Sequence, residues 1–263
     1  MKIVDLTEDL VPLYCVCLED WSDEMKEAGT RKHDWYEAMC SRGLRAKLAV
    51  DDAGTVGGMI QYAPIEQSFA TGKDLYFIYC IWVHGYKQGR GNFRKQGMGK
   101  ALLAAAEDDA RALGGKGVAA WGIALPFWMR ASWFRKHGYR VADRDGMRHL
   151  LWKSFVPDAE APRWVRPRKS PPPMPGKVTV ISLVNGWCPA QNIACERAKR
   201  AAAACGEGVD FTVIDTSDRA TFEEWGMADG LFIDGKAVRF GPPPKQEALR
   251  RRIAKRLRSA RQV

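Results

Sequence analysis

Between Val156 and Lys177 the chain carries seven prolines, among them the run Pro171-Pro172-Pro173, with Arg and Lys between them. Proline fixes φ and has no N–H to donate, so neither a helix nor a central strand continues through such a segment, and extended polyproline geometry is favoured. The 263 residues are therefore expected to form two bodies, 1–156 and 177–263, joined by a Pro-rich linker over 157–176. Each has the size of a small domain, and 46% hydrophobic residues is enough to fill both cores.

Charge is unevenly placed. The formal net charge is +10, but Lys245–Val263 holds eight basic residues and one acid, Glu247. That tail carries +7 and the remainder is near balance, so the basicity of the whole gives no case for nucleic acid as a partner of the main body. In the tail itself, Leu249, Ile253 and Leu257 recur every four residues and predict a helix docked by one apolar stripe, its other faces solvated or set against an acidic partner. The cysteines stand at 15, 17, 40, 80, 188, 195 and 205. Their number is odd, no CxxC pair occurs, no secretory signal opens the chain, and no apolar run approaches the roughly 18 residues that span a bilayer. A reduced, cytoplasmic protein away from membranes is expected. The four histidines, His33, His84, His137 and His149, show no ligand spacing, and no metal is expected.

Alternation, helical periodicity and turn residues predict the order βααβββαβαββ for the first body. Its strands are Lys2–Asp5, Ala46–Val50, Val56–Tyr62, Asp74–Val83, Val118–Ile123, Tyr139–Ala142 and His149–Trp152. Its helices run from a Thr7 cap to Leu18, over Asp23–Cys40, over Gly99–Leu113 and over Phe127–Lys136. The most informative junction follows the aromatic and β-branched strand DLYFIYCIWV. After Val83 the chain reads HGYKQGRGNFRKQGMGKALLAAAE, which puts Gly97 and Gly99 at a helix start. A helix start presents unpaired N–H groups and partial positive charge, and glycine removes the Cβ that would bar a close approach, so a phosphate suits this place. Lys87, Arg90, Arg94, Lys95 and Lys100 add positive charge. A Walker loop is excluded because Ala101 follows Lys100. A dinucleotide fingerprint is excluded because Leu102 or Arg94 stands where a third glycine belongs.

On these residues the region from Asp74 to Tyr139 resembles the GNAT N-acetyltransferase superfamily. The signature [Gln/Arg]-x-x-Gly-x-[Gly/Ala] matches Arg94, Gly97 and Gly99. The ending Trp133-Phe134-Arg135-Lys136-His137-Gly138-Tyr139 matches the aromatic-aromatic-x-x-x-Gly-aromatic close of a later helix. The insertion GYKQGRGNF and the C-terminal half further resemble the YoaP-like branch. The resemblance implies an α+β fold with a mixed, splayed central sheet and flanking helices, with acetyl-CoA as co-substrate. Its cofactor-binding residues are then Trp82, Val83, Arg94, Lys95, Gln96, Gly97, Met98, Gly99 and Lys100. Among them the amides of Gln96, Met98, Gly99 and Lys100 hold the pyrophosphate, and the N–H of Trp82 or Val83 polarises the thioester carbonyl. The pantetheine arm is expected between the strands Asp74–Val83 and Val118–Ile123, with an amine attacking directly and no acyl-enzyme.

The family's usual acid is a tyrosine where this chain has Phe134, which cannot donate a proton. Substitutes from the same cleft are His84, Cys80 and Tyr79. His84 is the first choice for a base, the alternative being that it only contacts loop backbone; Cys80 is otherwise a buried strand thiol. Trp21, Trp35 and Tyr36 line the acceptor pocket or belong to the core. The acceptor is expected to be a small-molecule, peptide or protein amine, and the protein a monomer or homodimer.

The second body reads βαβαββα and resembles a smaller, thioredoxin-like α/β domain with Trp187-Cys188 at the redox position. Gln191 stands where a second cysteine belongs, so Cys188 is expected to act, if at all, as a single reactive thiol. A thiol-handling protein using Cys188, and a non-catalytic acyl-CoA-binding protein suggested by Phe134, are the competing readings.

Overall fold

The computed structural model of the chain describes residues 1–126, 128–174, 176–238 and 242–260. They divide into two compact units, Met1–Ser22 with Tyr36–Val165, and Asp23–Trp35 with Arg166–Val263. No helix of the described residues is long and apolar enough to cross a membrane.

In chain order the first unit and the helix entering it contain β1 (Lys2–Asp5), α1 (Val11–Cys15), α2 (Asp23–Cys40), β2 (Arg45–Val50), β3 (Val56–Pro64), β4 (Ala70–Thr71), β5 (Leu75–Val83), α3 (Met98–Ala112), β6 (Gly117–Ile123), α4 (Ala131–Lys136), β7 (Arg140–Asp145), β8 (Arg148–Ser154) and β9 (Arg163–Trp164). Seven of these strands form one sheet in the order β1-β2-β3-β5-β6-β8-β7. Only the β5–β6 pair is parallel; every other neighbour is antiparallel. β3 is buried along almost its whole length and β5 along most of it, which explains why both read as continuous apolar runs rather than as alternation. α3 turns Leu102, Leu103, Ala106 and Ala110 inward, at helical spacing, and packs on β2, β3 and β5.

Several boundaries differ from those the sequence predicts. Residues from Val156 to Val165 stay with the first unit, because β9 pairs with β4 and the Val165 N–H donates to Phe69 O at 3.1 Å. Thr7 makes no side-chain cap. A short 3₁₀ turn over Glu8–Leu10 precedes α1, and Cys17 and Leu18 take left-handed φ of 50° and 65°, which ends the helix early. α4 begins only at Ala131. Met129 has φ 49° and its carbonyl accepts from the Ile123 N–H at 2.7 Å, so the backbone before Ala131 is tied to β6. Phe127 lies outside the described residues.

Asp109 on α3 anchors that helix to the sheet. Arg45 Nη2 donates to its Oδ1 at 3.1 Å, Arg45 Nε and the Tyr62 hydroxyl donate to Oδ2, and Lys47 stands 3.8 Å away. Burial alone would raise the Asp109 carboxyl, but the hydrogen bonds from Tyr62 and Arg45 and the nearby Lys47 outweigh it and hold it below the usual carboxylate range. A depressed carboxylate contributes stability that is complete above its unfolded pKa, about 4, and is lost as pH falls through the folded value. Asp109→Asn should cost about 2 kcal/mol near neutrality. Urea titrations should show that cost shrinking as pH drops below about 4 and vanishing below the folded value, where the wild-type carboxyl is itself protonated.

The second unit contains β10 (Val178–Val184), α5 (Pro189–Ala203), β11 (Val209–Asp215), α6 (Arg219–Trp225), β12 (Gly230–Ile233), β13 (Lys236–Ala237) and α7 (Gln246–Ala260). Its sheet runs β11-β10-β12-β13, with β10 and β11 parallel and the rest antiparallel. The last strand is described as far as Ala237; Arg239 and Phe240 lie outside the described residues. Leu249 and Ile253 of α7 are buried among β10, β12 and α5 side chains, with Leu257 packed beside them. The first part of α2 belongs here because its polar residues are bound by α5. Arg31 Nε donates to Glu196 at 2.8 Å, Arg197 binds Glu24 through two nitrogens, and Asn192 Nδ2 donates to Ala28 O at 3.1 Å.

Candidate active site

The β5–β6 ladder is short. Pairing runs from Leu75↔Gly117 to Ile78↔Ala120 and stops, although β5 continues to Val83 and β6 to Ile123. The cause lies on the other edge of β5. Against β3, Tyr62 pairs with Ile78 but Gln61 with Cys80, so Tyr79 is an extra residue. A bulge of this kind increases local twist and ends pairing nearby. The Tyr79 carbonyl is taken by Trp121 Nε1 at 2.7 Å. Beyond that point β5 stays with β3 while β6 stays with β8 as far as Ile123↔Arg148. The sheet therefore opens as a V. The His84 N–H donates to Gly57 O at 2.9 Å, so by antiparallel alternation the Val83 N–H is directed away from β3, into the V. Trp82, paired with Met59, has the opposite sense.

The glycine turn stands at the mouth of this V. Gly97 occupies the N-cap of α3 with φ 87°, and Lys95 also has positive φ, 64°. The first helical bond runs from the Ala101 N–H to Gly97 O at 3.0 Å, so the amides of Met98, Gly99 and Lys100 precede it and have no acceptor within the helix. A Cβ on Gly97 would meet nothing within 4 Å; one on Gly99 would lie 3.5 Å from Trp133 Cζ2 and 3.7 Å from Val83 Cγ2. The helix start thus sits beside both the end of β5 and α4. Met98 is buried and anchors the turn, whereas Arg94, Lys95, Gln96, Gly97 and Lys100 are exposed. Gln96 Nε2 donates to Asn92 O at 3.0 Å, the Arg94 N–H donates to Asn92 Oδ1 at 3.1 Å, and the Arg94 guanidinium folds against Gly85.

The insertion Gly85–Phe93 closes as a small antiparallel loop. Gly85 bridges Asn92, and the Phe93 N–H donates to His84 O at 2.9 Å. The Phe93 ring lies so close over Gly57 that a Cβ there would be 2.5 Å from it. His84 holds the loop from within. It is 0% exposed, its Nδ1 bonds Gly91 O at 2.6 Å, and Trp21 Nε1 donates to its Nε2 at 3.3 Å. A carbonyl only accepts and an indole N–H only donates, so Nδ1 donates, Nε2 accepts and both ring nitrogens are engaged. This corrects the expected role of His84 as base: it contacts loop backbone and Trp21. Tyr79 is likewise committed, its hydroxyl donating to Gln67 O at 2.6 Å inside the core. Cys80 is a buried strand thiol opposite Gln61. Neither presents a group for proton transfer.

Of the three aromatic residues expected at the acceptor, Trp21 alone stands at the end of β5, under Gly89 and against Tyr86. Trp35 is buried against Gly186 in the second unit. Tyr36 packs edge-on to Tyr14 at 5.5 Å, and burial, then a hydrogen bond with Cys40, pushes its hydroxyl up to about 12. Both are core. Phe134 is fully buried against Tyr139, and its neighbour Trp133 is the aromatic that reaches Gly99. Sequence reasoning missed Glu19. Its half-buried carboxyl is raised by burial, and nothing in its local pattern distinguishes it from the solvated acids around it. In the second unit Cys188 is the N-cap of α5 but only 4% exposed, behind a Trp187 whose indole donates to Asp229 Oδ2 at 2.8 Å. That is the environment of an inert rather than a reactive thiol.

No curated relative matches the chain. Solved structures similar to it include a GNAT family acetyltransferase from Brucella melitensis in complex with acetyl-CoA, 16% identical over 62% of this chain and 94% of that one, with a TM-score of 0.42. The PaiA N-acetyltransferase from Thermoplasma acidophilum in complex with coenzyme A is 18% identical over 59% and 100%, at 0.43. The GNAT family N-acetyltransferase YhbS from Escherichia coli in complex with CoA is 16% identical over 60% and 82%, at 0.45. The sequence profile of the acetyltransferase (GNAT) family matches residues 6–139, more than half of the chain. The chain belongs to the acetyltransferase (GNAT) family.

Proposed function

We propose that the chain moves an acetyl group from acetyl-CoA to a primary amine by direct attack within a ternary complex. The observation that carries this reading is the V between β5 and β6 opening beside an α3 start whose first amides have no acceptor within the helix. The residues present fit the co-substrate. The amides of Met98, Gly99 and Lys100, with that of Gln96, suit a pyrophosphate, and Arg94, Lys95 and Lys100 surround it with exposed positive charge. The parted edges of β5 and β6 offer backbone to a pantetheine arm, and the Val83 N–H can polarise a carbonyl there. Acetyl-CoA supplies an activated thioester with a tolerable thiolate leaving group, so a buried Phe134 in place of an acid is compatible with turnover. The acceptor class is a small-molecule, peptide or protein amine, and the enzyme acts as a monomer or homodimer. The seven cysteines, odd in number and without a CxxC pair, suit a reducing cytoplasmic setting. The order βαβαββα, with the second strand parallel to the first, supports a thioredoxin-like reading of the second unit. Its buried Cys188 does not favour a thiol-handling activity.

Isothermal titration with acetyl-CoA tests the reading. Binding tighter than about 0.1 mM is expected, and no heat up to about 1 mM would end it. Mass spectrometry of an amine panel then reads the 1:1 acetylated product.

A further inference from the structure

We infer that Glu19, Trp21, Trp82 and Tyr86 form the acceptor subsite, an aromatic cluster with one carboxylate that takes the ammonium head of an alkylamine, and that Glu19 is its base. The inference rests on the acetyltransferase reading for its chemistry but on separate residues for its geometry. Tyr86, from the insertion, stands edge-on to Trp21 at 6.0 Å and 82° and to His84 at 5.5 Å and 84°, and tilted to Trp82 at 6.2 Å and 46°. Held from three sides, it is nevertheless 42% exposed, so an aromatic surface is kept open to solvent at the end of β5. Trp82 immediately precedes Val83, whose N–H is directed into the V, so the cluster adjoins the place where a carbonyl would be polarised. The Trp82 Nε1 is buried without a hydrogen-bond partner.

Glu19 completes the cluster. Its chain neighbours tie it to the insertion, Asp20 through Arg90 at 3.1 Å and Trp21 through Tyr86 at 6.0 Å, and its charge, after burial, raises the Tyr86 hydroxyl. Among the described residues its carboxylate has no hydrogen-bond or ion-pair partner. Of the cations close by, Arg90 pairs with Asp20 at 3.1 Å, and Arg94 lies against Gly85 with its guanidinium 6.0 Å from the Tyr86 ring. The remaining neighbour, His84, has both ring nitrogens engaged by Trp21 and Gly91. A half-buried carboxylate left unpaired is costly, and a cation offsets that cost. Alkylamines are ammonium ions near neutral pH, and aromatic faces beside a carboxylate attract them. An amine with its own carboxylate beside the nitrogen is repelled by Glu19.

In the reaction, Glu19 takes one proton from the ammonium, and the freed nitrogen lone pair forms the C–N bond to the thioester carbonyl carbon. The C–S pair leaves with sulfur. The surplus proton on nitrogen passes through water to the thiolate, and Glu19 returns its own to solvent, giving amide, CoA thiol and one released proton.

The test uses the full chain with n-pentylammonium and its neutral counterpart 1-pentanol, read by quenching of Trp21 and Trp82 fluorescence. Wild type should prefer the cation roughly tenfold, and Glu19→Gln should cut that preference to the roughly twofold or less that the aromatic faces alone supply, while calorimetric acetyl-CoA affinity is unchanged. With n-pentylamine as acceptor, Glu19→Gln should lower kcat about 100-fold. In wild type kcat/KM should fall as pH drops through a carboxyl raised by burial, because the base must be ionised; that limb should vanish in the variant. Equal binding of the two probes by wild type, or an unchanged pH profile in Glu19→Gln, overturns the inference. Loss of acetyl-CoA binding by wild type would instead overturn the acetyltransferase reading, and the probe comparison separates the two.

Discussion

Gly97→Asp is expected to weaken acetyl-CoA binding more than 100-fold while leaving the fold intact. The reason is charge rather than space. A Cβ at Gly97 meets nothing within 4 Å, so the side chain has room. The φ of 87° is left-handed, and aspartate is among the residues that tolerate that region at a cost of about 1 kcal/mol. What changes is the field at the helix start. A carboxylate about 5 Å from a bound phosphate charge, at an effective dielectric near 20, opposes binding by about 3 kcal/mol, and it also competes for the free amides of the first turn. Gly97→Asn is the control: same shape, same backbone preference, no charge. Calorimetry should show the aspartate variant losing affinity far beyond the asparagine one, with thermal midpoints of the two variants within a few degrees of each other. Equal losses would mean that the turn matters for its shape and that no anion is held there.

That turn was legible in the sequence because it is local. A β-branched and aromatic run, then glycines, then helical spacing can be read within about thirty residues, and the expected helix Asp23–Cys40 appears with those bounds. What surrounds the turn was less legible because it depends on partners far along the chain. The bulge at Tyr79 exists only in register with Gln61 and Tyr62 of β3; no pattern in DLYFIYCIWV marks it, yet it opens the V and makes Val83 rather than Trp82 the residue whose amide faces it. Trp35 and Tyr36 are neighbours on one helix, but one packs with the second unit and the other with the first, a split that helical periodicity does not reveal. Glu19 and Tyr86 are brought together by an insertion folding back on the segment before α2, and neither stands out until both are placed.

His84 shows the same limit most sharply, and its replacement is expected to have the largest effect on stability. Residue type alone argued for a base; the partner set argues for a pin. Trp21 lies sixty-three residues away and donates to Nε2, while Nδ1 serves Gly91 O across the loop. His84→Ala removes a fully buried ring and takes a partner from the part-buried indole N–H of Trp21 and from the Gly91 carbonyl. The lost burial and cavity, together with about 1–3 kcal/mol for each group left unsatisfied, predict a loss of about 3–5 kcal/mol. Urea unfolding followed by tryptophan fluorescence should show a lowered midpoint with an unchanged slope. The insertion should loosen with it, since Tyr86 rests on the His84 ring, so KM for the amine should rise more than kcat falls when both are measured at low temperature, where the variant remains folded. A variant of native stability whose kcat alone collapses would restore His84 to the chemistry and displace Glu19 from it.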